Sequence, residues 1–339
     1  MNYPQTLTRL MERRDLSSAE MRELMQSIMG GELDGAQISA VLVALRMKGE
    51  TVTEIAAAAE VMRERSSKVA VQDNGHLIDT CGTGGDGIQT FNISTASAIV
   101  AAAAGAKVAK HGGRSVSSTC GSADVLEKLG VNVNLTSEQV AHCVDSVGVG
   151  FMFAPNHHSG MRHAAPVRRT IAVRTMFNLL GPLTNPANAK NQVMGVFRKD
   201  LTGKLAQVLQ QLGSRHVLVV HGEDGMDEIS IGAATLIAEL KDGKVSEYTV
   251  QPGQFGMTQV PLNTIQVSNT DEAKTMLLAV LDNQPGAARD IVCLNAGAAI
   301  YVAGLAASLS DGVRKAMEVI ASSAAKSKLA QLVQVSNAG

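Results

Sequence analysis

The chain has 339 residues, 45% of them hydrophobic and 18% charged, with a net charge of −1 and a mean hydropathy of +0.08. That length supports one large or two ordinary domains with a substantial core. The near-neutral balance argues against a chain that coats nucleic acid or an anionic membrane, because such proteins are usually basic. Four scattered cysteines (Cys81, Cys120, Cys143, Cys293) lack metal or redox spacing, and no basic-then-apolar leader follows Met1, so a cytoplasmic protein with reduced thiols is expected.

Residues 5–68 read as wholly helical. Ser17 or Ser18 caps a helix with Met21, Leu24, Met25 and Ile28 on one face, ended by Gly30-Gly31. A second helix runs from about Asp34 to Met47 and stops at Gly49. Thr51 and Glu54 form a capping box for a third, with Ile55, Ala58, Ala59 and Met62 as its apolar stripe. From residue 76 the pattern changes to short apolar runs at 76–80, 106–109, 131–133, 149–153, 193–197 and 216–221. Helices at about 94–104, 121–129, 137–147 and 200–212 lie between them. Such alternation predicts βαβ units and a mainly parallel sheet flanked by helices. Pro and Gly punctuate 154–190 and predict loops and a hinge. Residues 229–250, turning at Asp242-Gly243, read as a hairpin on the sheet margin, and 271–335 return to helix. The expected fold class is α/β: a small helical domain over 1–70, joined by helices from about 165–190, and a larger α/β domain over 71–339.

The stretch 79–95 carries the chemistry. Four glycines in six positions (Gly82, Gly84, Gly85, Gly87) follow an apolar run and precede Ser94-Thr95 at the start of an apolar helix. Glycines let backbone N–H groups converge, and a helix N-terminus adds positive partial charge, so a phosphate cradle is predicted. The run also satisfies G-x-G-x-x-G, but its helix starts after the last glycine. The region near 107 offers Lys107 and Lys110 instead of a ribose-binding acid, and this argues against a dinucleotide fingerprint. A second loop, Lys110-His-Gly-Gly-Arg-Ser-Val-Ser-Ser118, adds two cations, close backbone N–H groups and hydroxyls. Two such loops, each leaving the C-terminal end of a strand, suit a ligand with more than one phosphate group.

These segments resemble the anthranilate phosphoribosyltransferase family. The matching runs are Gly82-Thr-Gly-Gly-Asp86, Asn92-Ile-Ser-Thr95, Lys110-His-Gly-x-Arg114, Phe153-Ala-Pro-x-His-His158, Pro166-Val-Arg-Arg169, Phe177 to Pro186, and Gly225-Met-Asp-Glu228. The resemblance implies transfer of a phosphoribosyl group from 5-phosphoribosyl-1-pyrophosphate to anthranilate in tryptophan biosynthesis. It assigns the donor to Gly82, Thr83, Gly84, Gly85, Asp86, Thr90, Asn92, Ile93, Ser94, Thr95, Lys110, His111, Gly112, Gly113, Arg114, Ser115, Val116, Ser117, Ser118 and Ser122. It assigns anthranilate to Gly82, Gly113, His158 and Arg168, and two Mg²⁺ ions to Ser94, Asp227 and Glu228. His111 and His158 are the candidate proton acceptors, although a lone histidine is as readily structural, and Arg169 reads as a structural cation. No nucleic-acid or membrane partner is expected, and the helical segment is expected to mediate a homodimer. Displacement at C1 of ribose needs positioning and charge stabilisation more than a protein nucleophile.

Two other classes share this outline. A pyrimidine nucleoside phosphorylase would carry a Lys-His-Ser loop and no acidic metal pair, and a nucleic-acid-binding relative would lack the pair and be basic. One position departs from the family pattern: Gly113 stands where the family usually has Asn. Loss of that side-chain hydrogen bond predicts weaker substrate affinity or altered aromatic selectivity.

Overall fold

The computed structural model describes residues 2–72, 75–114 and 120–338. Four helices open the chain: α1 (Tyr3–Met11), α2 (Ser18–Gly30), α3 (Gly35–Lys48) and α4 (Val52–Arg65). Ser17, Asp34 and Thr51 each cap a helix and each pairs with a Glu or Gln three residues on, closing three capping boxes. The stripe residues of α2 and α4 are fully buried.

The α/β part follows as β1 (Leu77–Gly82), α5 (Ile93–Ala103), β2 (Lys107–Gly112), α6 (Ser122–Lys128), α7 (Ser137–Val147), β3 (Val149–Phe153), α8 (Ala154–His157), α9 (Met161–Ile171), α10 (Phe177–Leu180), β4 (Asn191–Gly195), α11 (Thr202–Gln211), β5 (His216–Gly222), β6 (Thr235–Lys241) and β7 (Lys244–Val250). Four helices close the chain: α12 (Thr270–Leu281), α13 (Ala287–Val302), α14 (Leu309–Ala321) and α15 (Ala324–Ser336). The seven-stranded sheet has the order β3-β2-β1-β4-β5-β6-β7. The first five strands are parallel, and β6 and β7 add an antiparallel hairpin on one margin. No helix among the described residues is long and apolar enough to cross a membrane.

The parallel strands bury both faces, and on β5 the faces belong to different cores, whereas the marginal β7 is largely exposed. On β5, Val217 and Val219 pack with the N-terminal helices, α9, α10 and α11, whereas Leu218 and Val220 pack with α5 and α13. The period-2 alternation of the strand therefore joins the helical part to one side of the sheet.

Three expectations need correction. Residues 131–133 form no strand. Val131 and Val133 are buried, but the Asn132 N–H is taken by Ser336 Oγ at 3.1 Å and Asn132 Oδ1 accepts the Asn134 N–H at 3.0 Å. Local Asx chemistry consumes the groups that a sheet ladder would need. The α5 helix starts one residue before Ser94, and its N-cap, Asn92, makes no side-chain cap bond. The segment 154–190 is more helical than its Pro and Gly content suggests, since α9 runs through Pro166.

Candidate active site

β4 joins the sheet on the side of β1 opposite β2, so the connections leave in opposite directions at the β1–β4 seam. Open α/β sheets bind ligands beyond the carboxyl ends of their strands at such a seam. Gly82 and Gly195 lie in register there, and the Asp227-Glu228 segment crosses them closely. A Cβ on Gly82 would stand 2.2 Å from Asp227 Oδ2, and one on Gly195 would stand 1.5 Å from the Asp227 carbonyl oxygen. Neither position has room for a side chain.

The glycine loop is pinned from several directions. Gly84 donates its N–H to Asp227 Oδ2 at 2.8 Å, with Gly84 and Gly85 both at positive φ. The Thr83 N–H reaches the Gly195 carbonyl at 2.9 Å, and Thr83 Oγ1 accepts the Phe197 N–H at 3.2 Å. Arg174 stacks over the Phe197 ring at 4.2 Å and donates to the Gly85 carbonyl. Asp86 Oδ1 accepts the Ile88 N–H at 3.1 Å, and Thr90 bridges to Gln266. Beyond the loop, the N-terminus of α5 brings Ile93, Ser94 and Thr95 to the seam, with a positive end suited to anions. Ser94 Oγ accepts from Lys110 Nζ at 3.1 Å, and Thr95 Oγ1 donates to Ser122 Oγ at 3.2 Å. Asn92 Nδ2 donates to the Cys120 carbonyl, and its buried Oδ1 has no partner among the described residues.

The second loop is tied to the first through Asp79, a buried carboxylate in β1. Its Oδ1 accepts the His111 N–H at 3.1 Å, and its Oδ2 accepts from Asn185 Nδ2 at 2.7 Å. Lys110 is buried, and desolvation lowers its pKa against the charge of Asp79. Gly112 packs against Phe151, while a Cβ on Gly113 would meet open space. Arg114 is exposed and pairs with Asp124 at 2.8 Å and Glu127 at 2.6 Å, with its guanidinium 5.5 Å from the Phe153 ring. Ser115, Val116, Ser117 and Ser118 lie outside the described residues.

Asp227 and Glu228 are half-buried, and neither forms an ion pair among the described residues. Desolvation, reinforced by the charge of Asp86, pushes Asp227 up to about 7. Glu228 is raised well above its ordinary value by desolvation and by Asp227, with Lys110 opposing. Hard carboxylate oxygens held together against their own repulsion suit Mg²⁺. No three acidic, histidine or cysteine side chains close around one point among the described residues. A cation there would therefore complete its shell from substrate oxygens and water, the mode Mg²⁺ favours.

A different set of groups faces the helical side, with His111 reaching it from β2. The His111 and His158 rings lie 5.0 Å apart, both buried. His111 Nδ1 faces the Gly181 carbonyl at 3.2 Å, but its Nε2 and both ring nitrogens of His158 lack partners among the described residues. Burial, with neighbouring imidazoles, depresses His111 to about 3 and His158 to about 4, so both are neutral near pH 7. Arg168, half-buried on α9 and 5.7 Å from the Phe177 ring, has no hydrogen-bond or ion-pair partner among the described residues, and burial lowers its pKa. Arg169 is exposed.

The chain matches the glycosyl transferase family twice, its helical bundle domain over residues 4–66 and its a/b domain over 74–326. A relative from Thiobacillus denitrificans named anthranilate phosphoribosyltransferase is 63% identical over 98% of this chain and 97% of its own length. The chain belongs to the anthranilate phosphoribosyltransferase family. The enzyme of that name from Thermus thermophilus has the same fold, with a TM-score of 0.93, 40% identity and coverage of 98% of this chain and 99% of its own. The anthranilate phosphoribosyltransferase of Saccharomyces cerevisiae, solved with 5-phosphoribosyl-1-pyrophosphate and Mg, superposes with a TM-score of 0.90 at 26% identity, covering 99% of this chain and 98% of its own. These anthranilate phosphoribosyltransferase matches leave the phosphorylase and nucleic-acid-binding alternatives without support. Four residues of the site escaped the sequence reading: Asp79, Asn185, Gly195 and Arg174. Asp79 carried a signal as a lone acid inside an apolar strand, and Asn185 lay within the matching run Phe177 to Pro186 without a role of its own.

Proposed function

We propose that the chain transfers the 5-phosphoribosyl group of 5-phosphoribosyl-1-pyrophosphate to the amino nitrogen of anthranilate, releasing pyrophosphate, as a step of tryptophan biosynthesis. The observation that carries this reading is full-length identity of 63% to a relative of that name, joined to an anion-binding seam with a half-buried acidic pair. The glycine loop, the α5 N-terminus and Lys110 hold the donor's phosphates, with Thr90, Asn92 and Ser122 close by. Arg114 joins them by exchanging one of its two carboxylate partners for phosphate. Two Mg²⁺ ions, bound by Ser94, Asp227 and Glu228, neutralise charge on the departing pyrophosphate.

Arg168 offers an unpaired, partly desolvated fork to the anthranilate carboxylate. The aniline nitrogen is already nucleophilic, so the protein needs only to align it with C1 of the ribose and receive a proton. The unpartnered ring nitrogens of His111 and His158 are the available acceptors. Loss of anthranilate fluorescence is expected only when the chain, phosphoribosyl pyrophosphate and Mg²⁺ are all present. Undiminished fluorescence in the full mixture would sink the reading.

The helical part is the proposed homodimer surface. Met11 on α1 and Met47 on α3 are 71% and 72% exposed, and the two helices pack against each other. Apolar side chains this exposed are better covered by a second copy. Sedimentation at micromolar concentration should give a dimer in the cytoplasmic salt range.

A further inference from the structure

Helix α13 is apolar and almost fully buried, yet Asn295 stands at its middle, 2% exposed. Asn is a poor helix former, and a buried amide needs partners for all its groups. Here it finds them outside the helix as well as within it. Asn295 Oδ1 accepts the Ile229 N–H at 2.9 Å, and its Nδ2 donates to the Ile229 carbonyl at 2.9 Å and the Ile291 carbonyl at 2.9 Å. A single side chain thus satisfies both backbone groups of the residue that directly follows Glu228. This is the pairing that a neighbouring strand would give.

The other end of the acidic segment is fixed too. Gly82 and Gly195 allow Asp227 to sit directly against the strand ends, and Gly84 holds its carboxylate. The turn before it is braced by Asp224, which accepts from Ser230 Oγ and the Met226 N–H. The helix that carries Asn295 is itself rigidly seated, because α13 and α14 touch through Gly297 and Gly312 with no space for a Cβ at either. Two like charges are therefore held in place by backbone anchors on both sides, with no ion pair among the described residues to orient them.

We propose that Asn295 is a positioning residue for the acidic pair. By fixing the backbone of Ile229 it aims the carboxylates of Asp227 and Glu228 at the donor site, and so sets the affinity for a divalent cation bound with pyrophosphate. This rests on the reading of Asp227-Glu228 as cation ligands. Residues that orient ligating carboxylates typically change metal affinity by roughly 10–100-fold when removed.

The test compares the full chain with Asn295→Ser and Asn295→Leu, and with Leu294→Ala as an apolar lesion on the same helix. Mn²⁺ binding in the presence of pyrophosphate is read by electron paramagnetic resonance, beside thermal unfolding and both Michaelis constants. Both Asn295 variants should weaken Mn²⁺ binding by roughly 10–100-fold and raise the constant for phosphoribosyl pyrophosphate, with the anthranilate constant unmoved. Leu294→Ala should unfold earlier while binding Mn²⁺ as the parent does. Asn295 variants that bind Mn²⁺ as tightly as Leu294→Ala, or that do not fold at all, would confine Asn295 to the fold and overturn the proposal. A parent chain that fails to hold Mn²⁺ with pyrophosphate overturns the reading of the acidic pair itself.

Discussion

Along the strand-end wall of the site, the main polar groups already have partners, Thr83 with Gly195 and Phe197, Asp227 with Gly84 and Ser94 with Lys110, and Asn92 Oδ1 is the exception among the described residues. Along the helical wall, Arg168 has none among the described residues, and three ring nitrogens of His111 and His158 are buried without one. The difference follows from what each wall is proposed to bind. A donor with several phosphates and its cations requires like-charged carboxylates to be held together before it arrives, so backbone contacts clamp them. A small planar acid requires only one charge and an apolar surround. There, unsatisfied groups that burial keeps neutral or weakly solvated give the ligand its advantage over water.

The largest effect is expected where the strand-end wall is tightest. Gly195→Ala would drive a methyl group into the Asp227 carbonyl. It should cost about 3 kcal/mol, the upper end for overpacking, and lower kcat/KM for the donor by about a hundredfold through misplacement of Asp227. Unfolding midpoints and steady-state kinetics check this. Donor kinetics like the parent's would show that the clamp does not matter.

The helical wall is broken by acid instead. His111 and His158 titrate in the folded chain near 3 and 4, below the ordinary histidine value of about 6.5. As pH falls below about 6.5 the unfolded chain takes up protons that the folded chain refuses. Stability present above that pH is therefore lost on the way down to about 4. For His158 the loss is on the order of 3 kcal/mol. His158→Gln should flatten this limb of a plot of unfolding free energy against pH. An unchanged slope would mean that His158 is solvated in the folded state.

A smaller effect separates the walls kinetically. Arg168→Lys keeps the charge but loses the planar fork, so the anthranilate Michaelis constant should rise roughly tenfold or more, about 1.5–3 kcal/mol. The donor constant should not follow. Parallel rises in both would show that the two walls act as one unit.

How much of this was legible in the sequence depended on whether the signal was local. The cap at Ser17 or Ser18, the helix start near Asp34, the capping box at Thr51 and the strand-loop-helix around Gly82 are written within a few residues, and the structure has them all. Val131-Asn-Val133 showed the limit of apolar spacing, because the Asn134 N–H went to the Asn132 side chain and the Asn132 N–H to Ser336 instead of to a ladder. Gly195 was invisible for another reason. A glycine ending a strand is ordinary until Asp227, 32 positions later, is seen to cross it. Asn185 and Arg174 likewise acquire their roles only from partners 106 and 89 positions away.

The smallest expected effect sits where the walls meet, at Gly113. The family pattern places Asn there, and the backbone at Gly113 gives no reason for a glycine, since its φ is outside the left-handed region and a Cβ would meet nothing within 4 Å. Gly113→Asn should therefore fold as the parent does. His111, two residues before it, faces the helical wall, while Lys110 and Ser94 face the strand-end wall. A side-chain amide between them could donate to either ligand, and one such bond is worth about 1 kcal/mol, or roughly fivefold in a Michaelis constant. A lower anthranilate constant alone would assign position 113 to the helical wall, and a lower donor constant alone would assign it to the phosphate loop. A fall in both would make it the one point at which the two walls share a residue. Unchanged constants would show that this chain has dispensed with the bond.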